Sequence, residues 1–256
     1  MSEVLDVEKL EREVKSVYRQ VANEPDNEFH FEMGRNLAER LGYPPADLDE
    51  IPQEAIDSFA GVGYHFDMAD IQPGDRVLDL GSGSGMDVFV AATHAGDLGH
   101  VTGLDMTTEQ LEKSRKLRDR DGFSNVTFEH GYIEDIPIDD DTFDVVISNG
   151  VINLSAEKER VFAEVARVLK PGGRLAVSDI ISEEHMPESI KGDADLWAAC
   201  IGGAEQVGMY TEMIESSGLE VNRMRDNDTY EFTSDAAQSA CSRYGVKSIG
   251  YLAFKP

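Results

Sequence analysis

The stretch Val77-Leu78-Asp79-Leu80-Gly81-Ser82-Gly83-Ser84-Gly85 decides the fold of this chain. Its apolar first half predicts a buried strand, and its glycines predict a sharp turn into a helix that begins at Met86. Glycine allows the backbone to turn sharply and to approach a ligand closely. The N-terminus of the next helix offers unpaired N–H groups and the positive end of the helix dipole. The stretch therefore predicts a ligand-binding loop.

A second predicted strand, Val101-Thr102-Gly103-Leu104, follows the loop and ends in Asp105. A carboxylate at that position accepts hydrogen bonds from ribose hydroxyls in dinucleotide-binding folds. The dinucleotide fingerprint is G-x-G-x-x-G, whereas this loop has the tighter pattern G-x-G-x-G. The spacing therefore disfavours NAD. The order of strand, loop, helix, strand and acid also disfavours a loop that serves only as a structural turn.

From Arg76 onward, apolar strands alternate with helical patterns. Further strands are predicted over residues 126–130, 143–149, 174–180, 219–224 and 246–254, and further helices over 108–120, 156–169, 210–217 and 234–243. Continuous apolar strands joined by helical crossovers indicate a parallel sheet that is covered on both faces. The predicted fold class is α/β, with a doubly wound, mostly parallel sheet.

The chain divides into a leader and a main domain. Residues 1–60 predict a helical N-terminal cap, with helices over 4–22 and 31–41 and an acidic loop after Pro44-Pro45. Residues 61–256 predict one domain, with an irregular insert over 182–209. The cap comes before the first strand, and the insert follows the strand at 174–180. In such sheets the carboxyl ends of the strands form the ligand crevice.

The composition is strongly acidic, with 50 Asp and Glu against 23 Lys and Arg and a formal net charge of −27. Such a charge repels nucleic acid and anionic membranes, so neither is expected as a partner. Hydrophobic residues make up 41% of the chain, which favours a folded protein over a disordered one. We hypothesise an adaptation to high salt, where counterions screen the self-repulsion.

Cys200 and Cys241 are far apart and lack C-x-x-C spacing, which argues against a disulfide framework and against a zinc site. No metal site is predicted elsewhere, because Asp139-Asp140-Asp141 is typical of a solvated turn before a strand. The sequence contains neither a secretory signal pattern nor an apolar run of membrane-spanning length. We therefore expect a cytoplasmic protein, and its oligomeric state stays open.

The tight glycine loop resembles motif I of the class I S-adenosylmethionine (SAM)-dependent methyltransferases. The resemblance covers residues 61–256 and includes Asp105, the acidic step Ile133-Glu134-Asp135, the strand at 143–149 and Lys170-Pro171-Gly172-Gly173. It implies a seven-stranded Rossmann-like sheet of order 3-2-1-4-5-7-6, with the last strand antiparallel. It also implies SAM as the cofactor.

The same resemblance implies which residues bind SAM. They are Asp79, Gly81, Ser82, Gly83, Gly85, Asp105, Met106, Ile133, Glu134 and Asn149. The loop glycines would lie against the methionine part, and Asp105 would accept the ribose hydroxyls. Met106, Ile133 and Glu134 would surround the adenine. Asn149 would line the side where the methyl group is transferred.

Two further stretches resemble the arsenite methyltransferase subgroup, namely Asn149-Gly150-Val151-Ile152-Asn153-Leu154-Ser155 and Cys200-Ile201-Gly202-Gly203-Ala204. The resemblance implies an arsenic site built from cysteines, because soft thiolates suit a soft trivalent centre. Cys200 matches one of these cysteines and is the candidate catalytic residue. Val62 and Gly150 occupy the places of the others, and their side chains donate no electron pair.

Three functions therefore stay open. The first is methyl transfer from SAM to a small-molecule acceptor, with the acceptor pocket lined by the cap, the 61–66 loop and the insert around residues 197–200. The second is arsenite or methylarsenite methylation, with Cys241 or free thiols completing the site. The third is SAM binding without catalysis. A structural role is the favoured interpretation of His65, and core packing is that of Tyr18.

Overall fold

The computed structural model describes residues 7–24, 27, 29, 31–187, 190, 201–233 and 235–256. An eight-stranded sheet forms its centre. The strands are β1 (Arg76–Leu80), β2 (His100–Asp105), β3 (Val126–His130), β4 (Phe143–Asn149), β5 (Leu169–Ser182), β6 (Glu205–Gln206), β7 (Glu220–Asp226) and β8 (Lys247–Phe254).

The strands lie in the order β3-β2-β1-β4-β5-β8-β7, and the two-residue β6 pairs with the end of β5. Strands β1 to β5 pair in parallel, whereas β8 is antiparallel to both β5 and β7. The predicted order 3-2-1-4-5-7-6 is confirmed: the short β6 was not predicted, so the predicted strands 6 and 7 are β7 and β8 of the structure. The α/β fold class is confirmed as well.

Helices cover both faces of the sheet. They are α6 (Met86–Ala95), α7 (Thr108–Asp121), α8 (Lys158–Val168), α9 (Val207–Ser216) and α10 (Asp235–Tyr244). Successive side chains of a strand point to opposite faces. Accordingly Val77 packs in the core with α6 and the N-terminal helices, while Leu78 packs in the core with α8 and α9. This two-sided burial explains why the strands are apolar throughout.

Among the described residues, five helices precede β1, namely α1 (Val7–Asn23), α2 (Arg35–Leu41), α3 (Pro45–Asp49), α4 (Gln53–Asp57) and α5 (Phe66–Ala69). The expected helix over 31–41 begins later, because Gly34 has φ +84° and its N–H bonds to the carbonyl of Phe59. The expected loop after Pro44 was also wrong. Pro45 is the first residue of α3, a position where proline suits a helix because its missing N–H has no partner there.

Helix α1 packs against α7, above the carboxyl ends of β1 and β2. None of the helices in the described parts of the chain combines the length and the apolar character needed to span a bilayer. The exact boundaries of the cap and of the insert stay predictions, and residues 191–200 of the insert lie outside the described residues.

Candidate cofactor-binding site

A cavity of about 410 Å³ lies at the carboxyl ends of β1, β2 and β4, which is the usual place for a ligand in an open parallel sheet. Its size falls within the range of small-molecule sites. All but one of the residues predicted to bind SAM line it: Asp79, Gly81, Ser82, Gly83, Asp105, Met106, Ile133, Glu134 and Asn149. The exception is Gly85.

The glycine loop has the conformation that its sequence requires. Gly81, Gly83 and Gly85 have φ values of +69°, +52° and +94°, in the left-handed region that favours glycine. Gly85 precedes α6, and a Cβ there would stand 2.9 Å from Cζ of Phe128. Gly85 therefore serves close packing behind the loop, and its contact with the methionine part of SAM stays a prediction.

Asp105 closes the loop from the side of β2. Its Oδ2 accepts the N–H of Gly83 at 2.9 Å, and its Oδ1 accepts the N–H of Thr107 at 2.7 Å. Burial raises the pKa of Asp105, and hydrogen bonds from the N–H groups of Thr107 and Gly83 and from the Thr107 side chain act in the opposite direction. The two oxygens of a carboxylate offer about four acceptor sites, so Asp105 keeps acceptor capacity for a ribose hydroxyl.

Asp79 is 3% exposed and borders the cavity. Burial, followed by the nearby charges of Asp87 and Asp105, raises its pKa well above the usual value. In the described part of the chain, no group donates a hydrogen bond to its carboxylate. An isolated buried carboxylate is unfavourable, and a cationic ligand beside it would remove that cost. These features fit the positively charged groups of SAM.

A buried polar network joins the end of β4 to the cap. Asn149 Oδ1 accepts the N–H of Val62 at 2.8 Å, and Asn149 Nδ2 donates to Asp87 Oδ2 at 3.2 Å. Tyr43 OH donates to Asp87 Oδ1 at 2.6 Å. Burial and then Asp87 raise the pKa of Tyr43 well above its usual value, so it stays protonated as a donor. Sequence analysis missed Asp87, although it lies in the first turn after the glycine loop.

The segment after β3 forms the wall where adenine is predicted to bind. A tight turn, closed by a bridge between Tyr132 and Asp135, exposes Ile133 and Glu134 to the cavity. The Ser155 hydroxyl donates to the Glu134 carboxylate. This bond connects the turn after β3 to the segment that follows β4.

Helix α1 covers the outer side of the cavity through Leu10, Glu11, Val14 and Tyr18. Gln110 holds it in place, because its Nε2 donates to the carbonyl of Tyr18 at 2.9 Å while its Oε1 accepts from Ser84 at 2.5 Å. Lys15 Nζ donates to the hydroxyl of Tyr132 at 2.7 Å. Core packing is the favoured interpretation of Tyr18, and the side chain both packs against the apolar residues of α1 and lines the cavity.

His65 and most of the 61–66 loop do not lie on the described part of the cavity wall. His65 is fully buried and stacks on Phe66 at 4.9 Å, and burial lowers its pKa, so the ring is neutral. Its structural interpretation is therefore favoured. Gly61 lines the cavity, whereas the rest of the 61–66 loop does not. Trp197 and the candidate catalytic residue Cys200 lie outside the described residues.

Val62 and Gly150, the two residues at positions where the arsenite methyltransferase subgroup has cysteines, lie side by side. A Cβ on Gly150 would stand 3.1 Å from Cγ1 of Val62. Cys241 is half-buried, and it packs against the same apolar cluster as Val62 and Ile201. The structure thus brings these positions together, with an isopropyl group and a hydrogen atom where thiols would be needed.

The methyltransferase-domain family matches residues 71–218, more than half of the chain. This chain belongs to the SAM-dependent methyltransferases. The arsenic(III) S-adenosylmethionine methyltransferase of Chlamydomonas reinhardtii superposes on it with a TM-score of 0.70 and 33% identity, over 82% of this chain and 72% of that one. The predicted family, its arsenite methyltransferase-like character and SAM as the family's cofactor are confirmed.

Two relatives illustrate the range of acceptors. The arsenite methyltransferase of Halobacterium salinarum is 41% identical over 199 residues, which are 77% of this methyltransferase and 51% of that protein. A ubiquinone/menaquinone biosynthesis C-methyltransferase of Vibrio campbellii is 37% identical over 115 residues, or 44% of each chain. This methyltransferase therefore spans about half the length of the curated relatives that it matches.

Proposed function

We propose that this methyltransferase binds SAM in the cavity and transfers the methyl group to a small organic acceptor. We choose an organic acceptor because Val62 and Gly150 lie next to each other, so that a Cβ on Gly150 would contact the Val62 side chain. Both positions correspond to thiols in the arsenical subgroup, and neither residue here can ligate a soft centre. Methyl transfer from SAM is thus retained, whereas the thiol ligands for arsenic at positions 62 and 150 are absent.

The residues of the cavity fit SAM part by part. Asp105 would accept hydrogen bonds from the ribose with its remaining acceptor capacity, and the carboxylate of Asp79 would lie close to the positively charged methionine portion. Ile133 and Glu134 would contact the adenine. When bound, SAM supplies a methyl group on a sulfonium sulfur, which is already activated toward an incoming lone pair.

The protein's contribution is then alignment and exclusion of water. Helix α1 covers the cavity, and Leu10 and Val14 provide its apolar inner surface. Asn149, which lines the cavity, accepts the N–H groups of Val62 and Gly63 and so fixes the start of the 61–66 loop. A well-oriented pair of reactants gains a large part of the rate enhancement from positioning alone. No nucleophilic side chain is needed for a direct transfer.

The wall favours an uncharged or cationic acceptor. Apolar surface comes from Leu10, Val14, Phe59, Val151 and Leu154. Acidic side chains, including Glu11, Asp87 and Glu134, border the same space, and Arg160 is the single basic residue among the described lining residues. An anionic acceptor would meet repulsion from these carboxylates.

Methylation of an arsenical is the second candidate, because its relatives include arsenite methyltransferases and because Cys241 shares the apolar cluster of Val62. One consideration weakens it. Burial raises the pKa of the Cys241 thiol, which keeps it protonated at neutral pH, whereas a metalloid ligand must be a thiolate. Two thiols, Cys200 and Cys241, also fall short of a three-sulfur site.

Incubation with methyl-labelled SAM separates the three functions. The acceptors would be arsenite, monomethylarsenite and a small-molecule extract, with Cys200→Ser and Cys241→Ser as matched variants. Label in an organic product that persists in both variants supports our proposal. Label in an arsenical that disappears in the Cys200→Ser variant favours the second candidate. Binding of SAM without transfer to any fraction would favour a non-catalytic SAM-binding protein.

A further inference from the structure

Asp179, near the end of β5, is fully buried and does not line the cavity. Three hydrogen-bond donors converge on its carboxylate. Its Oδ2 accepts the backbone N–H of Asn153 at 2.9 Å and the hydroxyl of Tyr210 at 2.7 Å. Its Oδ1 accepts the N–H of Ile180 at 2.8 Å. The residue thus connects β5, α9 and the segment after β4.

The segment held by Asp179, residues 151–155, contacts three parts of the cofactor cavity. Val151 fills the space beside Gly81. Leu154 packs against the apolar residues of α1, and the Ser155 hydroxyl donates to Glu134. A short 3₁₀ helix, Ile152–Leu154, places these side chains at fixed angles to one another.

We propose that Asp179 is a positioning residue, which holds the 151–155 segment in the shape that completes the SAM cavity. This inference rests on the proposed binding of SAM. The ionised carboxylate is the form that serves this purpose, because it accepts all three hydrogen bonds. A protonated carboxyl accepts hydrogen bonds more weakly than the carboxylate, and an amide sets an N–H group against at least one of these donors, so the set of three bonds weakens in either case.

The pKa of Asp179 lies close to neutral pH. Burial raises the pKa of Asp179 to about 6, although the bond from Tyr210 acts to lower it. Lys158 is the cation that faces it, and that ammonium donates to the carbonyl of Ser155 at 2.7 Å. Tyr210 and Tyr251 are the other titratable neighbours, and burial raises the pKa of both above the usual value, so neither ionises near pH 6.

The direction of the pH effect follows from these contacts. The folded protein holds the proton of Asp179 more tightly than the unfolded chain does, so this residue makes folding less favourable as the pH rises from about 4 to 6. Binding of SAM has the opposite pH dependence, because it uses the ionised form. If Asp179 only supported the fold, its protonation would change the stability of the protein but not its affinity for SAM.

The test measures the affinity for S-adenosylhomocysteine by calorimetry from pH 5 to pH 8. For the unaltered protein, affinity falls by about tenfold as the pH drops from one unit above to one unit below the protonation point. Asp179→Asn lowers the affinity at pH 7.5 by about tenfold, because one backbone donor loses its acceptor, and it removes this pH step. Tyr210→Phe keeps the carboxylate and moves the step to higher pH.

Circular dichroism confirms that each variant is folded at the pH of every titration. The proposal is overturned if folded Asp179→Asn binds with the affinity and pH profile of the unaltered protein. It is also overturned if Tyr210→Phe leaves the midpoint unmoved. Failure of the unaltered protein to bind S-adenosylhomocysteine at any pH would instead overturn the proposed function itself.

Discussion

A Cβ added to Gly81 would lie 2.5 Å from both γ carbons of Val151. The first glycine of the ligand loop and the first residue after the Gly150 turn therefore fit directly against each other. This contact explains why Gly81 carries no side chain, independently of any ligand. It also makes the loop and the 151–155 segment a single packed unit at the mouth of the cavity.

Gly81→Ala is expected to lower both the stability and the affinity for S-adenosylhomocysteine. The left-handed backbone costs alanine about 1 kcal/mol, and the overlap with Val151 adds about 1–3 kcal/mol. Gly83→Ala is the matched control, because its φ is +52° but its nearest neighbour, an oxygen of Gln110, would be 3.9 Å away. Chemical denaturation of both variants gives the difference.

Val151→Ala should restore part of the stability in the Gly81→Ala background, because it removes the two γ carbons that clash. In the unaltered background the same change opens a cavity and destabilises the protein. A double-mutant cycle measures the coupling. Equal effects of Val151→Ala in both backgrounds would contradict the packing described above.

Asp105→Asn is expected to weaken binding of S-adenosylhomocysteine by about 10- to 100-fold, since hydrogen bonds to a charged acceptor contribute about 1.5–3 kcal/mol. Calorimetry measures the change. Asp119→Asn is the control, because that carboxylate lies on α7 with 68% of its side chain exposed. An Asp105→Asn variant that binds like the control would exclude Asp105 from the ribose site.

Gln110→Ala should speed the release of S-adenosylhomocysteine by about fivefold, because the lost hydrogen bond to the Tyr18 carbonyl, which holds α1, is worth about 1 kcal/mol. The substitution disconnects α1 from the glycine loop. Glu109→Ala provides the comparison: it breaks a surface ion pair with Arg19, N–O distance 2.7 Å, and such pairs contribute little. Stopped-flow displacement yields both rates. Similar rates for all three proteins would show that α1 does not control release.

Installing thiols at two positions, Val62→Cys with Gly150→Cys, is expected to raise the affinity for arsenite at least tenfold, because soft ligands select a soft centre. The two positions are close enough for both thiols to bind the same arsenic atom. Adding Cys200→Ser to this variant tests whether the third thiol participates. Titration under reducing conditions measures binding. An unchanged arsenite affinity would place the metalloid site elsewhere.

The free energy of unfolding should increase between 0.1 M and 2 M KCl, because a net charge of −27 repels itself most strongly when screening is weak. The Debye length falls from about 10 Å at 0.1 M salt to about 3 Å at 1 M. Urea titrations at each salt concentration give the values. Sucrose at matched osmolality is the control for preferential exclusion. Equal stability in dilute and in molar salt would refute the proposed salt adaptation.

Sequence patterns predicted the central architecture because each part has a local cause. The apolar strand before Gly81, the glycine spacing and the acid at the end of the next strand are each visible within a few residues. Parallel strands then bring their carboxyl ends together, so the cavity followed from the topology. The same reasoning failed at Pro45, where a pair of prolines suggested a break but one of them begins a helix.

Other residues of the site escaped prediction because their roles depend on distant partners. Tyr43 reaches Asp87 across 44 positions of sequence, and Tyr210 reaches Asp179 across 31. No local pattern distinguishes these buried polar side chains from others of their type. The packing of Gly85 against Phe128 is a further contact that the motif alone did not reveal.

The sequence by itself determined the alternation of the main strands and helices from Arg76 onward, the binding loop and the absence of thiols at positions 62 and 150, since these depend on local spacing and residue identity. Only the tertiary structure decided that α1 covers the cavity, that Val62 and Gly150 are neighbours and that Asp179 supports the cavity wall from behind. Those relationships arise when helices and strands far apart in the chain pack together, and packing depends on three-dimensional fit.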